Sequence, residues 1–244
     1  MNRQRDLDEL YRSLFALREK TGGFQFLRSK KAKNEIPDAG VYYFFDSNEL
    51  RQDKKTPRII RIGTHAISKT SKANLWSRLA QHRGSLTNGT GNHRGSIFRK
   101  LVGISIIKKE NLEPVETWGR KSSLGAVARE YGLPSSEIRA RELTIEKKVS
   151  DYIQGLPYLC VRIDDIETGR INRRSVEKNS IALLSNFNKP PIDQPTKRWL
   201  GNYCYYGKEQ KVINSHLWNN DFVDQVYDPS FLDLFKTLID KTTR

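Results

Sequence analysis

Gly40-Val41-Tyr42-Tyr43-Phe44-Phe45 and, after a polar connection of about a dozen residues, Arg58-Ile59-Ile60-Arg61-Ile62-Gly63 are the two stretches that decide the fold. Both are rich in β-branched and aromatic residues and bounded by turn formers, so they predict two strands paired as a hairpin. Asp46-Ser47-Asn48 supplies the turn signal after the first. Neighbours on a strand point to opposite faces, which separates Tyr42 from Tyr43.

Beyond the hairpin, Leu75, Trp76, Leu79 and Ala80 form a helical stripe starting at Asn74 and stopped by Gly84. Arg78 and His82 lie one turn apart on it and project from the same face. Residues 85–95 read as a glycine-rich loop, and Ser96 suits the cap of a helix carrying Ile97, Phe98, Leu101, Val102 and Ile106. The stretch from Ala126 to Pro134 has the small-residue and glycine rhythm of a helix-turn-helix, followed by Arg139-Ala140-Arg141; ordinary helical hairpins share that rhythm. A helix over 142–153, a strand at 157–163 and a mainly apolar helix over 175–185, interrupted by Glu177, come next. Helices over 6–20 and after Pro229 close the two ends.

The chain has 244 residues, 36% hydrophobic and 29% charged, which suits a folded domain with a sizeable core. Its 43 lysines and arginines outnumber 28 acids, and the net charge of +15 favours nucleic acid as partner. Two cysteines, Cys160 and Cys204, without CxxC spacing, point to a reducing compartment and away from a zinc or disulfide scaffold. No segment approaches the ~20 apolar residues of a membrane span, so a cytoplasmic protein is expected.

A tyrosine on one strand, a second strand ending Ile-Gly, an Arg and His one turn apart and a helical carboxylate before an asparagine together resemble the GIY-YIG nuclease family. The resemblance covers roughly residues 38–190: Gly40-Val41-Tyr42 stands for the first motif, Arg61-Ile62-Gly63 for the second, Arg78 to His82 for the helical pair and Glu177 for the metal carboxylate. It implies an α+β fold with a GIY-YIG core, a small three-stranded, mainly antiparallel sheet flanked by helices. The expected layout is an N-terminal helix and basic linker (1–35), a catalytic domain (38–190) with a helical insertion at about 108–155, and a C-terminal extension (191–244) packed on the core.

The resemblance further implies an endonuclease that hydrolyses DNA phosphodiester bonds with Mg2+ or another divalent cation such as Mn2+. Tyr42 would orient or deprotonate the attacking water, assisted by His82; Arg78 would hold the phosphate; Glu177 would carry the metal; Asn186 or Asn188 would complete the site. Arg61, in place of the second motif tyrosine, cannot act as a base but could bind phosphate or lower the Tyr42 pKa. Glu146 is a rival carboxylate. His65, Arg83, His93, Arg94 and Arg99 are expected to contact DNA. A restriction or defence nuclease acting on double-stranded DNA as a homodimer, without small organic cofactor or membrane, is the leading expectation. A non-catalytic nucleic-acid-binding protein retaining the fold, or a structure-specific repair or mobile-element nuclease, is the alternative.

Overall fold

The structure, a computed structural model, describes residues 2–29, 32–65, 74–120, 122–163 and 173–242. Lys30 and Lys31 of the expected basic linker lie outside them. Four strands, β1 (Gln25–Phe26), β2 (Gly40–Leu50), β3 (Pro57–Thr64) and β4 (Pro157–Arg162), form one antiparallel sheet in the order β1-β4-β2-β3. The α+β class holds, and the two-residue β1 makes the sheet one strand wider than expected.

The continuous apolar run of β2 is explained by burial on both faces of the sheet. Val41, Tyr43 and Phe45 enter one core, with Leu7, Leu10, Leu14 and Leu17 of α1 (Arg3–Lys20), Val176, Ile181 and Leu183 of α6 (Arg173–Leu184), and Phe231 and Phe235 of α8 (Phe231–Asp240). Tyr42 and Phe44 enter the other, with Leu75 and Leu79 of α2 (Leu75–Arg83), Phe98, Leu101 and Val102 of α3 (Ile97–Lys109) and Ile145, Val149 and Ile153 of α5 (Ser135–Gly155). The insertion adds α4 (Leu124–Tyr131), joined to α5 through the left-handed Gly132. A short helix α7 (Lys211–Ser215) precedes the segment that returns to the sheet.

The Asp46-Ser47-Asn48 signal does not reverse the chain. The Asp46 carboxylate instead accepts the Asn48 amide at 2.9 Å within β2, and the turn falls at 51–56, where Asp53 accepts the amides of Lys55 and Thr56. A second irregularity decides side-chain placement. Phe44 pairs with Arg61 but Phe45 with Ile59, so Ile60 is an extra residue in β3. Such a bulge lets two successive side chains share a face: Ile60 joins the Tyr42 core and Arg61 lies over the Phe98 ring.

β3 is the sheet edge, and residues from the C-terminal segment cover it. The Trp218 amide donates to the Ile60 carbonyl at 2.6 Å, and the Asn219 side chain grips both polar groups of Ile62, accepting at 3.1 Å and donating at 2.8 Å. Among the described residues no helix is long and apolar enough to cross a membrane.

Candidate active site

The first motif glycine is required by sheet packing: a methyl group at Gly40 would collide with the Val161 carbonyl of the neighbouring strand. The second-motif glycine makes room for the tyrosine itself. Tyr42 and Gly63 face each other across the hairpin, and a methyl at Gly63 would occupy the place of the Tyr42 phenol oxygen. The ring therefore lies across β3, and its hydroxyl reaches His82 Nε2 at 2.8 Å. The other ring nitrogen, Nδ1, lies 2.7 Å from Ser96 Oγ, which also accepts the Arg99 amide as the cap of α3. One serine thus starts a helix and fixes the imidazole.

Tyr42 and His82 are both 0% exposed. Burial, reinforced by the positive charges of Arg78, Arg61 and Arg99, holds the His82 pKa well below its ordinary value. At neutral pH the imidazole is therefore uncharged.

Arg61 is 6% exposed and donates to the Trp218 carbonyl, while its Nε is buried without a partner among the described residues. Its charge acts on two groups, helping to lower the His82 pKa and countering the rise of Glu177. Glu177, half-buried on the first turns of α6, is nevertheless raised overall because desolvation outweighs Arg61, the Thr64 amide and Arg174, with Asp221 adding to the rise. Arg78 is partly exposed on α2, and one of its guanidinium nitrogens donates to Gln81 and to the Gly95 carbonyl. Of the expected site residues, Arg78 and Glu177 are thus partly open to solvent, while Tyr42, His82 and Arg61 are buried.

Other residues expected to contact DNA have protein partners. His93, Arg94 and Arg99 all engage carboxylates of α5. His93 is buried, stacked on Trp118 at 3.9 Å, accepting the Gly119 amide and contacting Glu146 through Nδ1 at 3.0 Å. Arg94 makes a two-pronged pair with Glu142 at 2.6 and 2.7 Å. Arg99, 0% exposed, donates to Glu146, Ser150 and the His82 carbonyl. Glu146 is consequently engaged by His93 and Arg99. Asn186 is also committed: its amide serves Ile192, His216 and Arg3 beyond the far end of α6. Asn188 is exposed, with φ of 52°. His65 is buried at the end of β3 against Arg173, and Arg83 is half-buried over the Trp76 ring.

Ser96 and Asn219 are the contributors that sequence reading missed. Ser96 was legible as a cap, and only its spacing of 14 positions from His82 conceals the second bond. Asn219 carries no local signal, since its partner in β3 is 157 positions away.

No cluster of three or more His, Cys, Asp or Glu side chains gathers among the described residues. One carboxylate with water and phosphate oxygens nevertheless suits magnesium. Glu177, partly exposed and without a hydrogen-bonded cationic side chain among the described residues, has the chemistry to hold such an ion.

No curated protein and no solved structure matches the chain. A family model described as a GIY-YIG domain matches residues 1–244. With its two glycine motifs paired across one hairpin and the tyrosine of the first lying over the glycine of the second, the chain belongs to the GIY-YIG family.

Proposed function

We propose that the protein is a divalent-metal-dependent endonuclease that hydrolyses phosphodiester bonds of double-stranded DNA. The observation that carries the reading is the Tyr42 hydroxyl 2.8 Å from an uncharged His82 held from behind by Ser96. Families built on this domain are generally endonucleases, which supports it. In this reading the Tyr42 oxygen takes the proton of the attacking water as its own proton passes to His82 Nε2. Arg78 grips the phosphate oxygens with its guanidinium fork, and Arg61 opposes the charge that grows on them. Glu177 would hold a magnesium ion, which supplies Lewis-acid stabilisation of the leaving oxygen.

The elaborations around the core support a role in restriction or another defence against foreign DNA. Cutting both strands with one site per chain calls for two copies on the duplex. The complete burial of Tyr42 and His82 favours one other reading, a nucleic-acid-binding protein that keeps the fold without turnover.

Incubation of purified protein with linear, supercoiled and branched DNA in magnesium separates the two. Cleavage by the native chain, lost in Glu177→Ala and in Arg78→Ala while both still bind DNA, is the expected result. Absence of cleavage on every substrate refutes the nuclease reading, and undiminished cleavage by Glu177→Ala refutes the metal-holding role of Glu177.

A further inference from the structure

The helical hairpin of α4 and α5 takes no part in the Tyr42 cluster. It has a small core of its own, Val127, Ala128 and Ile138, with Leu124, Tyr131 and Leu133 against them. Ser123 caps α4, and Gly132 turns the chain at φ of 63°. Helix, tight turn and second helix follow one another as in the short DNA-reading motif of that form.

Its charge is one-sided. Residues 120–148 contain seven lysines and arginines and four glutamates. Two of those glutamates, Glu142 and Glu146, are buried and committed to Arg94 and Arg99. The start of α5 turns Ile138, Glu142 and Ile145 inward and leaves Ser136, Arg139, Ala140 and Arg141 exposed. Among the described residues Arg129 and Arg139 have no hydrogen-bond or ion-pair partner, whereas Arg141 pairs with Glu137. Free arginine beside serine and alanine suits base edges, as a guanidinium fork matches guanine, a hydroxyl serves several bases and a methyl meets that of thymine.

The hairpin is also braced to the catalytic helix. Glu142 and Glu146 tie α5 to Arg94, His93 and Arg99, and Arg99 donates to the His82 carbonyl at 2.9 Å. A cleft of about 400 Å³, lined by Arg139 together with Asn88, Thr90 and Asn92, lies between α5 and the loop leaving α2. Glu142 and Glu146 also line this cleft, with Arg94 paired to Glu142, which leaves Arg139 as its unpaired cation among the described residues.

We propose that the α4–α5 hairpin reads the sequence of a DNA duplex, with Ser136, Arg139 and Ala140 facing bases in the major groove and Arg129 on an adjacent phosphate. The inference rests on the endonuclease reading for its substrate but is tested by binding alone. The full-length Glu177→Ala protein is used to select duplexes from a random pool, and affinity for the enriched duplex is compared with that for a scrambled one. Adding Arg139→Ala is expected to lower this preference about tenfold or more, in keeping with the loss of one two-pronged base contact. Arg139→Lys, which keeps the charge and loses the fork, lowers it as well. Lys236→Ala, an exposed lysine on α8, leaves the preference intact.

An unenriched pool, an unchanged preference in both Arg139 variants, or an equal fall in Lys236→Ala would overturn the proposal. Selective binding lost with Arg139 in a protein that cuts no DNA keeps the hairpin assignment and removes the nuclease reading. Cleavage without any sequence preference does the reverse.

Discussion

Gly63 meets Tyr42 through the absence of a side chain, which makes it a sensitive test of the site. Gly63→Ala inserts a methyl into the volume of the phenol oxygen, so the ring must swing away from His82. Overpacking of this kind costs about 1–3 kcal/mol of stability, and displacement of a catalytic group by about 1 Å costs on the order of 100-fold in rate. Cleavage kinetics beside thermal unfolding check this; a variant that cuts at the native rate would mean the phenol position is unimportant. The histidines make a second test. His82 and His216 are both held below the ordinary value, His216 to about 4, chiefly by burial and then by Arg58. The unfolded chain titrates near ~6.5 and binds more protons on acidification, so the stability due to these neutral rings is full above that pH and falls as pH drops below it, for His216 down to about 4. Asp46 and Glu177, raised by burial, act in the opposite sense. His216→Asn should therefore flatten the loss of melting temperature between pH 6.5 and about 4, asparagine tolerating the left-handed backbone there. An identical slope in the variant would count against the assignment.

At the scale of elements, α5 shows what sequence can and cannot disclose. The caps at Asn74, Ser96 and Gly84, and the stripes of α2 and α3, were legible because each is set by residues within a few positions. The Tyr42 motif was legible for the same reason. The burial of His93, Arg94 and Arg99 was not: a basic, glycine-rich loop reads as solvated, and the carboxylates that accept it lie about fifty positions onward on α5. The burial of Arg61 was likewise hidden, because the carbonyl it donates to belongs to Trp218, 157 positions onward. These pairs are costly to break. Glu146→Ala leaves the Arg99 guanidinium buried without its carboxylate and removes a partner of His93, a loss of about 3–5 kcal/mol. Denaturant unfolding measures it, and cleavage should fall too, because Arg99 also bonds the His82 backbone. A loss below about 1 kcal/mol would show that the pair is solvated.

Over the whole molecule, the expectation that residues 38–190 form the catalytic domain bears on how the fold closes. The sheet's free edge is a row of unpaired amides and carbonyls, a template for association with other chains. Trp218 and Asn219 satisfy three of those groups in β3, Arg61 is held by the Trp218 carbonyl, and Trp199 and Trp218 fill the core beneath Phe98. At the other end of the chain, α1 packs on α8, with Tyr227 donating to Asp6 at 2.8 Å. The family model accordingly runs from residue 1 to 244. A protein ending at residue 190 retains Tyr42, Arg61, Arg78, His82, Ser96 and Glu177, yet it loses Asn219 and two buried tryptophans, Trp199 and Trp218, each worth about 3–5 kcal/mol on truncation to alanine. That exceeds a large part of the ~5–15 kcal/mol that keeps a domain folded. Such a chain should be insoluble or unfolded by circular dichroism and inactive on DNA. A soluble, cooperatively melting 1–190 fragment would show instead that the C-terminal segment is an accessory laid on an independent core.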